Sequence, residues 1–582
     1  MSLLKVEGLT VQYGEQRVVD ELSFAVSGGE SVGLVGESGS GKSQTALAIL
    51  GLLPSQATCS GSVRFDEVEL LGASNRLLNA VRARHVGIVF QDPMQALNPY
   101  LRIGRQLRQV VVAHGGVSAR EADRRVIDML RRVGLPDAER QFDAYPHQLS
   151  GGMRQRAMLA SALIAGPDLL IADEPTTALD VTVQAQILEL LEEIRDDTAL
   201  LLITHDLGVV ASRCERMLVL EKGRLVDSGP TLAMFASPGH AHTHALLAAA
   251  PRIDRATTLP APGERSMLGV EGASVSFPAR GRRRLDAVVD VSLSLRRGET
   301  LAVVGESGSG KSSLVRAVLG LLPLASGRVV YAGGELEGPV ERRAMATRRD
   351  LQLVFQDPLG ALDPQMRVRD IVAEPLQVHE PALSKRERQE RVSAALQHVG
   401  LGADFLERFP HELSGGQAQR VAISRALILE PKVVVCDEAV AALDGSARNQ
   451  VLGVLRQAQE DTGLSIIFIS HDLAVVRALC HRVLVMYMGR FIEQADSAAL
   501  FLRPRHPYTR ALIDAVPVPD PVVPLKRAPL RGEVSSLLDP PSGCVFHPRC
   551  SNAIDTCRRE QPAPRDLQGT RVACHRSEEL EL

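Results

Sequence analysis

Two copies of one phosphate-handling pattern stand out, GESGSGKS at residues 36–43 and again at 305–312. Both fit G-x-x-x-x-G-K-[ST] in full. Gly36, Gly39 and Gly41, like Gly305, Gly308 and Gly310, let backbone N–H groups approach phosphate oxygens, with Ser38 and Ser307 inside the loops. Lys42 and Lys311 reach the β/γ-phosphates, and the Ser43 and Ser312 hydroxyls can coordinate Mg²⁺. Gln44 and Ser313 lie in the first turn of the helices that follow, whose positive N-terminal ends face the anion. A glycine-rich turn accounts for one such match. Two matches, each between an apolar strand and a helix, point to nucleotide phosphates.

Asp173 and Asp437 end the apolar runs DLLIAD and KVVVCD, and Glu174 and Glu438 follow them. A strand-end Asp suits an Mg²⁺ partner held through water, and the next carboxylate can polarise a water that attacks the γ-phosphate. Two helix-capping acids are the plainer alternative. His205 and His471, in THD and SHD, can bridge phosphate and water. Ser150, Gly151 and Gly152, like Ser414, Gly415 and Gly416, offer a hydroxyl and amides at a helix start, which suit a γ-phosphate. Tyr13 and Phe277 are candidates to stack on an adenine; core packing is the equal alternative.

The elements that must position these groups come in duplicate. VGESGSGKS, VFQDP, LSGG, ADE/CDE and THDL/SHDL recur in order at offsets of 269, 265, 264, 264 and 266, which marks a tandem duplication rather than a short solenoid repeat. In each half SVGLVG or TLAVVG reads as a strand feeding a glycine-rich loop and a helix. DLLIADE, KVVVCDE, ALLLITHD and LSIIFISH read as central parallel strands, whose C-terminal ends hold ligands in α/β folds. The stretches between VFQDP and LSGG predict a helical subdomain. The expected domains are 1–250 and 268–515, a linker at 251–267, and a proline-rich linker plus cysteine-rich region at 516–582.

The match then becomes specific. LSGGMRQR and LSGGQAQR resemble the signature of ATP-binding-cassette proteins, VFQD their glutamine loop, THD and SHD their histidine switch, and TALD and AALD their aspartate loop, over essentially residues 1–500. The resemblance implies an α/β fold of two P-loop cassettes, each with a helical subdomain, and two ATP sites formed head to tail. One would use Lys42, Ser43, Gln91, Asp173, Glu174 and His205, with Ser414, Gly415 and Gly416 from the other half. The second would use Lys311, Ser312, Gln356, Asp437, Glu438 and His471, with Ser150, Gly151 and Gly152. Gln91 and Gln356 join the serines as expected Mg²⁺ ligands. Met153 replaces the Gln found at 417, and Ala439 replaces the Pro found at 175; neither removes a phosphate, metal or water-handling group, so both sites are expected to hydrolyse ATP.

RPRHPYTRALIDAVP and GCVFHPRC resemble the C-terminal region of oligopeptide/dipeptide importer ATPases. That implies two membrane-spanning permeases and an extracellular peptide-binding protein as partners, with one copy of this chain per transporter, peripheral on the cytoplasmic face of the membrane and not touching the peptide. Cys544, Cys550, Cys557 and Cys574 can hold a [4Fe–4S] cluster or Zn²⁺, with His547 and His575 as substitutes, or remain free thiols. The resemblance favours the cluster.

Composition agrees with this frame. The 582 residues are 45% hydrophobic and 23% charged, with a net charge of −3 and no Trp. A near-neutral chain argues against nucleic acid as a partner. Neither a secretory signal nor a run long enough to span a bilayer is expected. A soluble twin-cassette ATPase acting on ribosomes is the alternative, but its kinds carry a long charged linker or cysteines ahead of the cassettes. A non-catalytic scaffold conflicts with the intact Glu and His pairs.

Overall fold

The computed structural model describes residues 2–580 except 178, 196, 256, 258, 279–283, 441, 442, 444, 524–529, 531 and 533, with the backbone alone at 95. The chain folds as two units, Met1–Ala250 with Pro517–Glu533, and Pro251–Val516 with Val534–Leu582. Ala178, Ala441, Ala442 and Asp444 of the two aspartate loops, and Pro524 and Pro529, lie outside the described residues.

In the first unit, Ser2–Tyr13 and Gln16–Ser27 largely alternate buried and open positions and pair antiparallel through a turn at Gly14, whose φ is 56°. A period near two is what a strand covered on one face requires. Ala57–Phe65 and Val68–Glu69 complete a four-stranded sheet. A second sheet runs in the order Arg224–Pro230, Arg216–Glu221, Ser31–Gly36, Ala199–Ile203, Leu169–Asp173, Val86–Val89. All its pairs are parallel except the first. Three of its strands, Ser31–Gly36, Leu169–Asp173 and Ala199–Ile203, are buried at every position, as strands covered on both faces must be.

The second unit repeats the plan. Arg284–Arg296, Ser266–Pro278, Ser326–Tyr331 and Gly334–Glu335 form one sheet. The other runs Leu351–Val354, Val433–Asp437, Ser465–Ile469, Thr300–Val304, Arg482–Tyr487, Arg490–Asp496, Thr570–Val572, Arg565–Leu567. Its last two strands come from the tail, where Glu493 and Gln494 pair with Val572 and Arg571. The expected separate cysteine-rich region is therefore corrected: residues 534–580 extend the second unit.

A helical layer covers each central sheet. Ala122, Val126 and Leu130 recur every fourth residue along Ala119–Arg132 and are buried, the spacing of one helix face. Ser118 starts that helix by accepting the Glu121 N–H, and in the second unit Ser384 and Glu387 start Lys385–His398 with a reciprocal capping box; such caps satisfy N–H groups the helix leaves unpaired. The proline-rich stretch packs on the first unit, with the Leu530 carbonyl accepting from Gln186 Nε2 at 2.8 Å. Among the described residues, no helix is long and apolar enough to cross a membrane.

Candidate functional site

Both phosphate loops leave a fully buried parallel strand and enter a helix, Lys42–Ile49 or Lys311–Val318, through a glycine in the left-handed region, Gly41 at φ 99° and Gly310 at φ 95°. A Cβ on Gly41 would strike the Val18 carbonyl, and one on Gly310 the Ala287 carbonyl. Only glycine meets both demands. The Lys42 ammonium donates to the carbonyls of Gly36 (2.9 Å) and Glu37 (2.8 Å), and Lys311 to those of Gly305 (2.8 Å) and Glu306 (2.9 Å). Both lysines are buried at the helix N-terminus. Ser38, Gly39, Ser307 and Gly308 are exposed at the loop tips, and Ser43, Gln44, Ser312 and Ser313 are half-buried.

At the strand ends, Glu174 and Glu438 take positive φ values of 47° and 52°. Such backbone is costly for a side-chain-bearing residue and is found where a site demands it. Glu174 Oε1 lies 3.1 Å from His205 Nδ1, and its Oε2 accepts from Gln91 Nε2 and Thr177 Oγ1, each at 2.9 Å. Burial alone would raise this carboxyl, but His205, Thr177 and Lys42 outweigh burial and hold it at about 2. Glu438 accepts from Gln356 Nε2 at 2.7 Å and lies 3.7 Å from His471 Nδ1. It too is held low, against burial, by His471 and Lys311. Both carboxylates are therefore ionised bases beside a histidine.

Asp173, one residue earlier, is pushed up to about 6 by burial and the Glu174 charge, against the Ser43 hydrogen bond and Lys42. Asp437 is raised by burial in the same way, against Ser312, whose Oγ donates to its Oδ1 at 2.8 Å, and Arg316. Asp173 Oδ1 and Asp437 Oδ2 are buried without a hydrogen-bond partner. A buried carboxylate oxygen left in this state fits a cation, so these residues suit Mg²⁺. Gln91 and Gln356, also expected among its ligands, donate their side-chain N–H groups to the glutamates.

Ser150 and Ser414 sit exposed at the starts of Gly151–Leu163 and Gly415–Leu427, with Gly151 and Gly415 exposed and Gly152 and Gly416 half-buried. Each hydroxyl accepts the N–H three residues on, from Met153 or Gln417, at 3.3 Å. Gln417 also accepts the Ser414 N–H at 3.0 Å, a return bond that the methionine side chain does not offer. Tyr13 and Phe277 are half-buried against their cores, and the Tyr13 hydroxyl donates to Gln44 Oε1 at 2.7 Å.

The expected metal set in the tail finds less support. Among the described residues, no three His, Cys, Asp or Glu are arranged to hold a metal ion. His547 Nδ1 lies 2.9 Å from the Cys544 carbonyl and His575 Nε2 2.9 Å from the Glu560 carbonyl, so each ring is directed to backbone. The Cys544 N–H donates to the Cys557 carbonyl at 2.8 Å. Burial pushes Cys544 and Cys574 up to about 11, and Cys550 up as well. Cys557 and Cys550 add to the rise at Cys544, Cys574 and Cys557 to that at Cys550, and Cys544 and Cys557 to that at Cys574.

Motif reading missed two groups that the fold brings in. Thr177 serves Glu174, and its counterpart is Ala441. Arg316 NH2 lies 3.6 Å from Asp437 Oδ2, and its counterpart is Leu47. Aligning the two halves position by position was the available signal for both.

Comparison with known proteins follows the same lines. The ABC transporter family model matches residues 19–177 and 288–441. This chain belongs to the ABC transporter family. A second model, described as the oligopeptide/dipeptide transporter C-terminal region, matches residues 492–557. The uncharacterized ABC transporter ATP-binding protein YejF of Escherichia coli K12 is 43% identical over 526 residues, covering 88% of this chain and 99% of the relative. The peptidoglycan transport ATP-binding protein YejF of Agrobacterium fabrum is 44% identical over 530 residues, covering 88% and 96%. The glutathione import ATP-binding protein GsiA of E. coli K12 is 41% identical over 566 residues, covering 89% and 90%. As a member of this family with two fused cassettes, the chain is an ATPase that serves a transporter.

Proposed function

We propose that the chain hydrolyses ATP to drive import of peptides through a pair of membrane-spanning permeases, fed by an extracellular binding protein. The observation that carries this is the pairing, in one chain, of two intact base–histidine sites with a C-terminal region of the oligopeptide/dipeptide class. The names of the relatives, with glutathione and peptidoglycan among them, support small peptides and peptide-like cargo.

In each site the loop amides and Lys42 or Lys311 bind the β/γ-phosphates. Ser43 with Asp173, and Ser312 with Asp437, would hold Mg²⁺, which offsets phosphate charge. Glu174 and Glu438 accept hydrogen bonds from the attacking water and orient it, and His205 and His471 fix those carboxylates and meet the γ-phosphate. Ser150 and Ser414, exposed at helix N-termini, suit hydrogen bonding to a nucleotide phosphate, and two fused cassettes suit one copy of the chain per transporter. The place of work is the cytoplasmic face of the membrane.

Permease docking fits a groove beside the glutamine loop. In the second unit a cavity of about 340 Å³ is lined by Leu321, Phe355, Val378 and neighbours, and Leu321, Phe355, Leu359 and Val378 are exposed. The first unit exposes Leu52, Met94 and Val112 near the matching places. Co-purification with the adjacent permeases, followed by ATPase assays with peptide-loaded binding protein, tests the function. ATPase activity that ignores peptide, permeases and binding protein alike would overturn it.

The four tail cysteines, Cys544, Cys550, Cys557 and Cys574, motivate a separable proposal, a [4Fe–4S] cluster, on the chemistry of the donor set alone: four thiolates are what such a cluster takes, while among the described residues no three metal-binding side chains are arranged to hold an ion. Iron and acid-labile sulfide assays on anaerobically prepared protein decide between cluster, Zn²⁺ and free thiols.

A further inference from the structure

The two phosphate loops have the same eight residues, GESGSGKS. Any difference between them must come from what packs against them. In the second loop Glu306 is buried and gripped by Arg549 of the tail, with NH1 2.6 Å from Oε2 and NH2 3.0 Å from Oε1, both side chains only 5% exposed. The Glu306 N–H donates to the Tyr508 hydroxyl at 2.9 Å, and the Glu306 carbonyl accepts from Lys311 Nζ. All three polar groups of this loop residue are thus fixed, and one of them anchors the lysine of the site. Arg549 also donates to the Tyr487 hydroxyl at 3.4 Å. Tyr487, Tyr508 and Phe546 pack as a buried trio, with ring centroids 4.8 to 5.4 Å apart.

The first loop is held differently. Glu37 is half-buried rather than buried. His242 stands where the second half has Tyr508, and residues 237–252 end the first half with no counterpart of GCVFHPRC. A buried ion pair stabilises a fold little more than apolar residues of the same size would, and its best-attested use is to fix geometry. A two-pronged Arg–carboxylate contact adds directional precision.

Building on the nucleotide-site reading above, we propose that the tail is a working part of the second ATP site. Arg549, acting through the Glu306 side chain, and Tyr508, acting through the Glu306 N–H, are positioning residues for the second phosphate loop. Nucleotide affinity at that site depends on the tail, whereas affinity at the first does not.

The test uses the full chain in two single-site forms, Lys42→Ala, which leaves the second loop, and Lys311→Ala, which leaves the first. Each is titrated with a fluorescent ATP analogue and Mg²⁺, and KM and kcat for ATP are measured. Arg549→Ala is expected to raise Kd and KM at the second site about tenfold, with kcat changed less and the first site unaffected. Arg549→Lys should restore part of the loss, since it returns charge without the two-pronged contact. Glu306→Gln should match Arg549→Ala, and the two together should do no more than either alone. Tyr508→Phe should weaken the second site alone, and decides the matter if Arg549→Ala does not fold. Second-site affinity unchanged within about twofold in folded variants, or equal loss at both sites, would overturn the proposal. Failure of both unmodified single-site forms to bind nucleotide would instead sink the nucleotide-site reading itself.

Discussion

Gln91 donates its side-chain amide to Glu174 Oε2 at 2.9 Å, and Gln356 repeats the contact with Glu438 at 2.7 Å. In each half, the glutamine that follows the Val86–Val89 or Leu351–Val354 strand region therefore touches the glutamate proposed as the base. Glu174→Gln with Glu438→Gln should keep ATP binding and cut phosphate release by about a thousandfold, because general-base help is removed at both sites. Gln91→Ala with Gln356→Ala should leave nucleotide binding intact and abolish stimulation by permease and cargo. Phosphate-release assays with and without the permeases check both, and residual turnover near the parent rate in the glutamate double variant would refute the assigned bases.

The loop glycines differ in what a side chain would meet. A Cβ on Gly310 collides with the Ala287 backbone, whereas one on Gly308, at φ 76°, meets nothing. Gly308→Ala should cost roughly 1–2 kcal/mol of backbone strain and keep weakened nucleotide binding. Gly310→Ala should displace the loop and eliminate binding at the second site. Nucleotide titration in the Lys42→Ala background separates the two.

Arg316 reaches Asp437 where the first half has Leu47. A cation already paired with a metal-binding carboxylate competes with Mg²⁺. Arg316→Leu is expected to lower the Mg²⁺ concentration needed for half-maximal activity of the second site a few-fold, by about 1 kcal/mol of removed competition. The measurement is an Mg²⁺ titration of ATPase activity in the Lys42→Ala form.

Glu493 and His506 give the second unit an opposed pair of pH responses. Burial pushes Glu493 up to about 7, against hydrogen bonds from the Arg505 and His506 N–H groups. Burial pushes His506 down to about 3. Between the ordinary carboxyl value of 4.5 and about 7 the folded state holds a proton at Glu493 that the unfolded chain releases, so this contribution falls as pH rises. Between 6.5 and about 3 the unfolded chain protonates His506 and the folded state does not, so this contribution falls as pH drops. Glu493→Gln should unmask the histidine slope, with stability rising by about 1.4 kcal/mol per pH unit up to 6.5. Hydrogen-exchange protection of Pro507–Asp514 across pH reads it.

By itself the sequence determined the duplication, the α/β class, both phosphate loops and the acid and histidine pairs. These are local: a glycine with positive φ, the lysine next to it, and a carboxylate at a strand end work through neighbours in the chain. Tertiary structure alone decided which distant groups meet. Arg549 grips Glu306 across 243 residues, and Thr177 shares Glu174 with a glutamine 83 residues away from it. The tail, expected as a separate cysteine-bearing piece, instead supplies two edge strands, because the free edge at Arg490–Asp496 offers backbone groups that pair with Thr570–Val572. Such pairings follow from sheet order and buried surface, which no spacing in the chain records, and they make two loops of identical sequence unlike in their surroundings.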